Sequence, residues 1–415
     1  MPWRFPRNGT PENERAEGAG ADLPLIFSDD LTGACDVGSV CLAHGWRVRV
    51  EFGARGWERV EPPARGEIVV ADLETRQLKP RDAGYRAGQA GLSFLRRGLR
   101  PLMFKMDSTL RGNYIEEAQA LQKVLRASRV WLVPANPGQG RWTVEGRVFV
   151  NGIPLEQTDY ARDPLHPITD GRVGGVSAIN LRLDGKTDAR IGRRGRVSGA
   201  RYISADAICG DDLKRIARLI KTGDLVFGAS PIAGYLAGNM PGQPGKVKLN
   251  SGRWLGVIGS LNPLTESQVQ VISGKPGVKV ALIKPGLLFS GGIPPVPSGI
   301  SAWILALEPV SFRALLKSKS SLADGKRIAG MLGALASQCR RSFNPVGLIL
   351  SGGLTAIEVC EKMGISGLGL TGMAGPGLVA SKAVWNGPPL EIITKPGGFG
   401  SDEALLEIVN MIRRA

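Results

Sequence analysis

Phe27-Ser28-Asp29-Asp30-Leu31-Thr32-Gly33-Ala34-Cys35-Asp36 closes the apolar run Leu23–Phe27 and opens the helical pattern Ala34–His44. Asp29, Asp30, Thr32 and Asp36 therefore collect where a buried strand ends and a helix begins. In open α/β sheets, ligands bind outside the carboxyl ends of strands. Clustered carboxylates cost free energy unless a cation, a hydroxyl donor or a basic partner offsets them. The competing reading is simple helix capping by Thr32 or Asp30, with the remaining side chains solvated.

The rhythm continues outward from this stretch. Val48–Phe52, Glu67–Ala71, Leu102–Lys105 and Val130–Val133 read as strands, and Pro80–Leu99 and Gly112–Leu125 as helices. Such alternation implies βαβ units and a parallel sheet. Between Arg147 and Leu155 the pattern becomes a short hairpin with Asn151-Gly152 at its turn. Gly238–Gly252, with Pro241, Gly242, Pro244 and Gly245, is the best linker candidate. A second α/β pattern runs from Trp254–Ile258 to the helix Asp402–Arg413, with Gly347–Leu350 and Leu390–Ile393 as strands and Ala323–Arg341 as a helix. The expected fold class is α/β with two domains, each a mainly parallel sheet flanked by helices. A disordered leader would occupy 1–20, and the domains 21–245 and 250–415. No internal repeat relates the two halves.

Composition narrows the function. The 415 residues are 43% hydrophobic, enough for full-sized cores, and no apolar run approaches the ~20 residues of a membrane span. Met1–Gly20 is polar and lacks a secretory apolar segment, which points to a cytoplasmic protein. The five cysteines, Cys35, Cys41, Cys209, Cys339 and Cys360, show no metal-site spacing and read as reduced thiols. His44 and His166 are the only histidines, which argues against a His-rich metal site and leaves a Ser-His-Asp triad two candidate bases. The net charge of +16 suits nucleic acid or an anionic small substrate. The densest basic stretch, Gly171–Arg201, has no aromatic residue to stack on bases and alternates with Gly and Val, so it reads as a solvated loop face.

Two further sets of residues carry chemistry. Lys105-Met106-Asp107-Ser108-Thr109-Leu110-Arg111-Gly112-Asn113 again follows a strand and precedes a helix. Arg grips a carboxylate or phosphate bidentately, Lys adds a point charge, and backbone N–H groups near Thr109 and Gly112 can face an anion; an internal salt-bridge loop is the alternative. Pro134–Arg141 follows strand Val130–Val133, where Gln139 and Arg141 are either substrate contacts or parts of a plain turn, and Asp159, Asp163 and His166 come next. In the second half, glycine-rich turns stand at strand ends: Ile258-Gly259-Ser260, Ser351-Gly352-Gly353-Leu354-Thr355, Ala374-Gly375-Pro376-Gly377 and Lys395-Pro396-Gly397-Gly398-Phe399-Gly400. Glycine lets a backbone approach phosphates, and four such turns in one domain favour a nucleotide site over ordinary tight turns. No Walker A motif is present. Gly367, Gly369 and Gly372 fit G-x-G-x-x-G, yet Gly375-Pro376 stands where that motif needs a helix.

Together these motifs resemble the four-carbon acid sugar kinase family over roughly residues 23–411. Asp29-Asp30-Leu31-Thr32-Gly33-Ala34 with Asp36 looks like its opening signature and Lys105–Asn113 its second. Gly259-Ser260 followed by Pro263, Thr265 and Gln268 looks like the start of its nucleotide domain, and Ser351-Gly352-Gly353-x-Thr355 and Lys395-x-Gly-Gly-Phe-Gly400 like its nucleotide loops. The resemblance implies transfer of the ATP γ-phosphate, with Mg²⁺, to a hydroxyl of threonate, erythronate or 3-oxo-tetronate, and closure of the domains around both substrates. On this basis Asp29, Asp30 and Asp107 are the catalytic candidates. Thr32, Arg76, Lys105, Arg111 and Asn113 are the substrate-binding candidates. Ser260, Ser351, Gly352, Gly353, Leu354, Thr355, Gly375, Gly397 and Gly398 are the nucleotide-binding ones. The expected partners are an anionic sugar acid and ATP, with no nucleic acid and no membrane; a homodimer is compatible.

Three positions depart from the family pattern: Leu354 where Asp or Glu is usual, Gly228-Ala-Ser-Pro-Ile-Ala233 in place of a Gly-Ser-Ala-Gly-like run, and Pro396 where a small residue is common. Leu354 keeps a second reading open, a nucleotide-regulated sugar-acid-binding protein without efficient turnover.

Overall fold

Leu25–Ser28 (β1), fully buried, leads into helix Leu31–Ala43 (α1), strand Arg47–Glu51 (β2) and strand Glu67–Asp72 (β3). The computed structural model describes residues 24–52, 57, 60–163, 166–174, 178–182, 202–239, 247–318 and 322–414. The leader, the central residues 240–246 of the linker and much of the basic stretch, including Arg190 to Arg201, lie outside the described residues.

The chain then forms α2 (Pro80–Arg96), β4 (Pro101–Lys105), α3 (Tyr114–Leu125) and β5 (Val130–Val133). The hairpin sheet β6 (Arg141–Val144), β7 (Arg147–Val150) and β8 (Ile153–Pro154) follows, then β9 (Ala178–Leu181), β10 (Tyr202–Ala205), α4 (Gly210–Leu219), β11 (Leu225–Gly228) and α5 (Ser230–Ala237). Asn151 and Gly152 make the β7–β8 turn with φ of 50° and 83°, the paired positive values that a tight hairpin needs.

The second half holds β12 (Trp254–Ile258), α6 (Pro263–Ile272), β13 (Val278–Ile283), α7 (Pro285–Phe289), β14 (Ala302–Leu307), α8 (Pro309–Ser318) and α9 (Leu322–Phe343). It ends with β15 (Gly347–Ser351), α10 (Gly353–Met363), β16 (Gly367–Gly375), β17 (Leu378–Val384), β18 (Glu391–Lys395) and α11 (Ala404–Arg414).

Two compact units result. The first takes the described residues of Met1–Asp29, Ala43–Val48 and Ala54–Gln243; the second takes those of Asp30–Leu42, Arg49–Gly53 and Pro244–Ala415. In the first unit the strands run β3-β1-β4-β11-β5-β10-β9, all parallel. Parallel neighbours require crossovers, and helices supply most of them here. The chain leaves β1 for β3 on one side and reaches β4 on the other, which makes the carboxyl end of β1 a topological switch point. Phe27 against Phe94 (centroids 5.4 Å apart) and Phe104 stacked on Phe227 (4.4 Å) anchor the core of this unit. Fully burying such a ring contributes roughly 1.5–3 kcal/mol.

In the second unit β13-β14-β12-β15-β18 are parallel; β17, β16 and Arg49–Glu51 of β2 continue the sheet antiparallel. Here β12 has β14 on one side and β15 on the other, a second switch point. Trp303 meets Phe343 edge-on at 5.4 Å, and Trp254 is fully buried. Gly367, Gly369 and Gly372 lie along β16 and not at a strand-to-helix turn. Ala374–Gly377 is the tip of the β16–β17 hairpin, where Gly377 at φ 70° provides the reversal, so Gly375 belongs to an antiparallel ribbon. No helix among the described residues is long and apolar enough to cross a membrane.

Candidate functional site

Each unit brings its motif residues to the ends of strands that finish level. In the first, Ser28 of β1 is in register with Asp72 of β3 and Lys105 of β4, and Lys105 with Gly228 of β11. The loops after these strands therefore start side by side.

Asp29, 2% exposed, begins the loop after β1. Its carbonyl accepts the N–H groups of Thr75 and Arg76, and its carboxylate accepts Arg76 Nε and Nη2, both at 2.7 Å. This is the planar, bidentate pairing that Arg makes and Lys cannot. Gly112 closes over the pair. Its φ is 95°, and a Cβ there would stand 3.1 Å from Asp29 Oδ2 and 3.5 Å from Arg76 Cγ. Arg76 was reached in the sequence only through family resemblance, because nothing local ties it to Asp29, 47 positions away.

Asp107 is the hub of the next loop. Its Oδ1 accepts the Thr109 N–H and hydroxyl, each at 3.1 Å, and its Oδ2 accepts Arg111 Nε at 2.5 Å. Burial alone would raise the proton affinity of Asp107; Arg111, Arg76, Lys105 and the Thr109 N–H overcome it and hold the carboxyl far below the usual carboxylate range. Arg111 remains partly exposed, stands 3.5 Å from Asp163 and lies over the Tyr160 ring at 5.3 Å. Lys105, 5% exposed, donates to the Met106 carbonyl at 2.9 Å and makes no ion pair among the described residues. Leu110 carries the loop through the left-handed region at φ 59°, a conformation unfavourable for a branched side chain.

Asn113 is buried, and its amide nitrogen donates to the Thr75 and Leu78 carbonyls, both at 3.0 Å. Those two donors tie down the loop that carries Arg76. Sequence reasoning missed Glu117 on α3, which is 1% exposed. Burial first, then the Asp29 charge, push its carboxyl up to about 8, against partial relief from Thr75 and Arg76.

In the second unit Asp30 caps α1: Oδ1 accepts the Gly33 N–H at 2.9 Å and Oδ2 the Thr32 hydroxyl at 2.7 Å. The capping carboxylate also stands against the loop after β15: a Cβ on Gly353 would lie 2.5 Å from Asp30 Oδ2 and 3.2 Å from Thr32 Oγ1. The ends of β12, β15 and β18 are level, Ile258 with Ser351 and Ser351 with Lys395. Their turns interlock: Gly259 N donates to Ser351 O at 3.2 Å and Gly352 N to Lys395 O at 3.0 Å. Gly352 adopts φ 100°. A side chain at Gly259 would strike Thr355, and one at Gly397 would strike Ser260. Thr265 donates to the Gly397 carbonyl at 2.6 Å with Ser260 Oγ 3.1 Å away, and Gln268 holds the Phe399 and Ser401 carbonyls. Leu354, half-buried, is the second residue of α10, at the helix end whose N–H groups favour anions. Gly398 sits in the turn after β18.

Residues 25–236 match a family model described as a sugar-binding N-terminal domain, and residues 255–405 one described as a nucleotide-binding C-terminal domain. The chain is 30% identical to a D-threonate kinase of Cupriavidus necator, over 92% of this chain and 96% of that protein. It is 26% identical to a D-threonate kinase of Salmonella typhimurium, over 94% and 98%. The chain belongs to the four-carbon acid sugar kinase family. A D-erythronate kinase of Heliobacterium modesticaldum is 28% identical to this family member, over 94% of this chain and 96% of that protein. Among solved structures, a Salmonella typhimurium protein described as a tRNA synthase shares the family member's fold with a TM-score of 0.72 at 20% identity, over 92% of this chain and 98% of that one. A Haemophilus influenzae protein does so at 0.64 and 19%, over 94% and 100%.

Proposed function

We propose that this protein is an ATP-dependent kinase that phosphorylates a hydroxyl of a four-carbon acid sugar: threonate, erythronate or 3-oxo-tetronate. The observation that carries the reading is Lys105, a buried ammonium without an ion pair among the described residues, beside the Arg111–Asp107 pair at a switch point. Lys105 and the partly exposed Arg111 offer charge-assisted donors to a substrate carboxylate. Asp29 and Asp107, fixed by Arg76 and Arg111, offer acceptors to its hydroxyls. The kinase names of the relatives support the same chemistry.

In the reaction, the sugar hydroxyl oxygen bonds to the γ-phosphorus of ATP and the bond to the bridging β–γ oxygen breaks. The hydroxyl proton passes to a carboxylate. Phosphoryl transfer asks the protein mainly for positioning and charge neutralisation. The cations around Asp107 leave it a weak proton acceptor, so its role is to hold Arg111. Asp29 or Asp30 aligns the hydroxyl and takes the proton. The glycine turns after β12, β15 and β18 receive the triphosphate, with the first N–H groups of α10, which have no acceptor within their helix, among the donors. Mg²⁺ accompanying ATP would be held in part by a carboxylate; where Asp29 takes the proton, Asp30, against Gly353, is the carboxylate that would hold the ion beside those turns. There it would neutralise phosphate charge.

The test is ATP consumption by the full chain with each of the three sugar acids, coupled to ADP detection. Consumption that depends on one of them supports the kinase. Sugar-acid binding that shifts with ATP but gives no turnover supports the regulated binding protein for which Leu354 argues.

A further inference from the structure

Lys395, the last residue of β18, is fully buried. Lysine is almost never buried unless it is paired with an anion. Here the ammonium donates to the Pro396 carbonyl at 3.0 Å and the Gly397 carbonyl at 3.1 Å, and it makes no ion pair among the described residues. An ammonium carries three donors, so one is left over. Ser351, its register partner on β15, has a buried hydroxyl with no hydrogen-bond partner among the described residues. One Lys395 donor and the Ser351 hydroxyl thus stand without a partner among the described residues, at the level ends of adjacent strands. The turns that follow present Gly352 and Gly353 on one side and Gly397, held by Thr265, on the other. Uncompensated buried polar groups are costly, and a phosphate would satisfy both.

We infer that Lys395, with the Ser351 hydroxyl beside it, is the phosphate-binding cation of this unit and holds a terminal phosphate of a bound nucleoside triphosphate. This rests on the nucleotide site proposed above. A structural lysine that only pins the Pro396 and Gly397 carbonyls would keep its bonds whether or not nucleotide is present.

The two roles differ in charge. Burial lowers the proton affinity of Lys395 to about 8, and among the described residues no charged side chain contributes to that shift. A phosphate dianion against the ammonium would raise it again. In the free protein at pH 8.5 roughly three-quarters of Lys395 is then deprotonated, and at pH 7 about a tenth. ATP binding takes up most of a proton at pH 8.5 and almost none at pH 7.

Calorimetry on the full chain with adenosine, ADP and ATP, in buffers of different ionisation enthalpy at both pH values, tests this. Wild type should bind ATP with that proton uptake. Lys395→Met should lose about 100-fold in ATP affinity, less for ADP, and stay within twofold for adenosine. Lys395→Arg, whose guanidinium keeps its charge, should bind ATP without the uptake at pH 8.5. The inference is overturned if Lys395→Met binds ATP within threefold of wild type, if it loses adenosine and ATP equally, or if Lys395→Arg keeps the wild-type uptake. Wild type that binds neither ATP nor adenosine overturns the nucleotide reading itself, and this inference with it.

Discussion

Replacing Glu117 by Gln should remove a pH-dependent weakness of the first unit. Glu117 is 1% exposed on α3, and burial with the Asp29 charge raises its carboxyl from the usual 4.5 to about 8. Between those values the native protein keeps a proton that the unfolded chain has released. Stability therefore falls as pH rises through that window and levels off above it. At 1.36 kcal/mol for each pH unit, the whole window is worth at most about 5 kcal/mol, of which about 4 kcal/mol falls between pH 5 and 8. Gln matches the neutral carboxyl in shape and does not titrate, so the variant loses this slope. Its stability relative to wild type should grow by up to about 4 kcal/mol from pH 5 to pH 8. Asp107 does not disturb the comparison: its low proton affinity confines its titration to more acidic solution, and it is the same in both proteins. Urea unfolding of both proteins at unit intervals of pH, followed through the transition that a sugar acid displaces, measures the difference. Stability curves that stay parallel within about 0.5 kcal/mol would show that Glu117 is ionised in the native state, and the reasoning would fail.

Arg111→Ala should weaken sugar-acid binding by roughly 2–4 kcal/mol, the loss of a charge-assisted pair, while ATP affinity holds; equal sugar-acid titrations would place the anion elsewhere. Asp29→Asn and Asp30→Asn should be compared for melting temperature and rate: losing the proton acceptor lowers kcat by roughly 10²–10⁴, whereas losing a cap alone costs about 1 kcal/mol and leaves activity. Two stable, fully active variants would remove both from the chemistry. Leu354→Glu puts a carboxylate in the first turn of α10, which should stabilise the unliganded protein by about 0.3–1 kcal/mol. It should also raise turnover or tighten ATP binding if the polar contact usual at this position matters, and unchanged nucleotide kinetics would show that Leu354 is neutral.

The alternation of strands and helices was legible because the strands named in the first half are mostly apolar runs and Val48–Phe52 alternates apolar with charged residues, both strand patterns set apart from the helical stretches between them. Boundaries were less so, for local reasons. The helix expected from Ala34 begins at Leu31 because the Asp30 side chain caps it earlier. The helix expected from Gly112 begins at Tyr114 because the loop first passes through left-handed Leu110 and Gly112. Gly367–Gly375 hid its strand character behind glycines that serve a hairpin.

In the site, the kinds of charge were legible and their partners were not. The pairing of Asp29 with Arg76 and the hold of Asn113 on the Thr75 loop are products of strand register, which brings distant loops level. Glu117 carried no warning beyond being a charged residue that the fold buries, and Lys395 was legible as the first residue of a glycine-rich turn, not as a buried cation. Lys105 and Lys395 reveal a shared device. Each is the last residue of a strand with neighbours on both sides, β4 between parallel strands and β18 between parallel β15 and antiparallel β17; each is buried, and each folds its ammonium back onto carbonyls of the residues that follow: Met106 in one unit, Pro396 and Gly397 in the other. Carbonyls stabilise a buried ammonium without cancelling its charge, whereas a carboxylate would cancel it. A kinase of the proposed kind, which binds two anions, gains from keeping those charges available. The first unit surrounds its lysine with Asp and Arg side chains, which suits a carboxylate that carries hydroxyls. The second surrounds its lysine with glycine turns and Ser or Thr hydroxyls, which suits phosphate. That contrast, more than the glycine count of either half, is the physical basis for reading one unit as the sugar-acid site and the other as the nucleotide site.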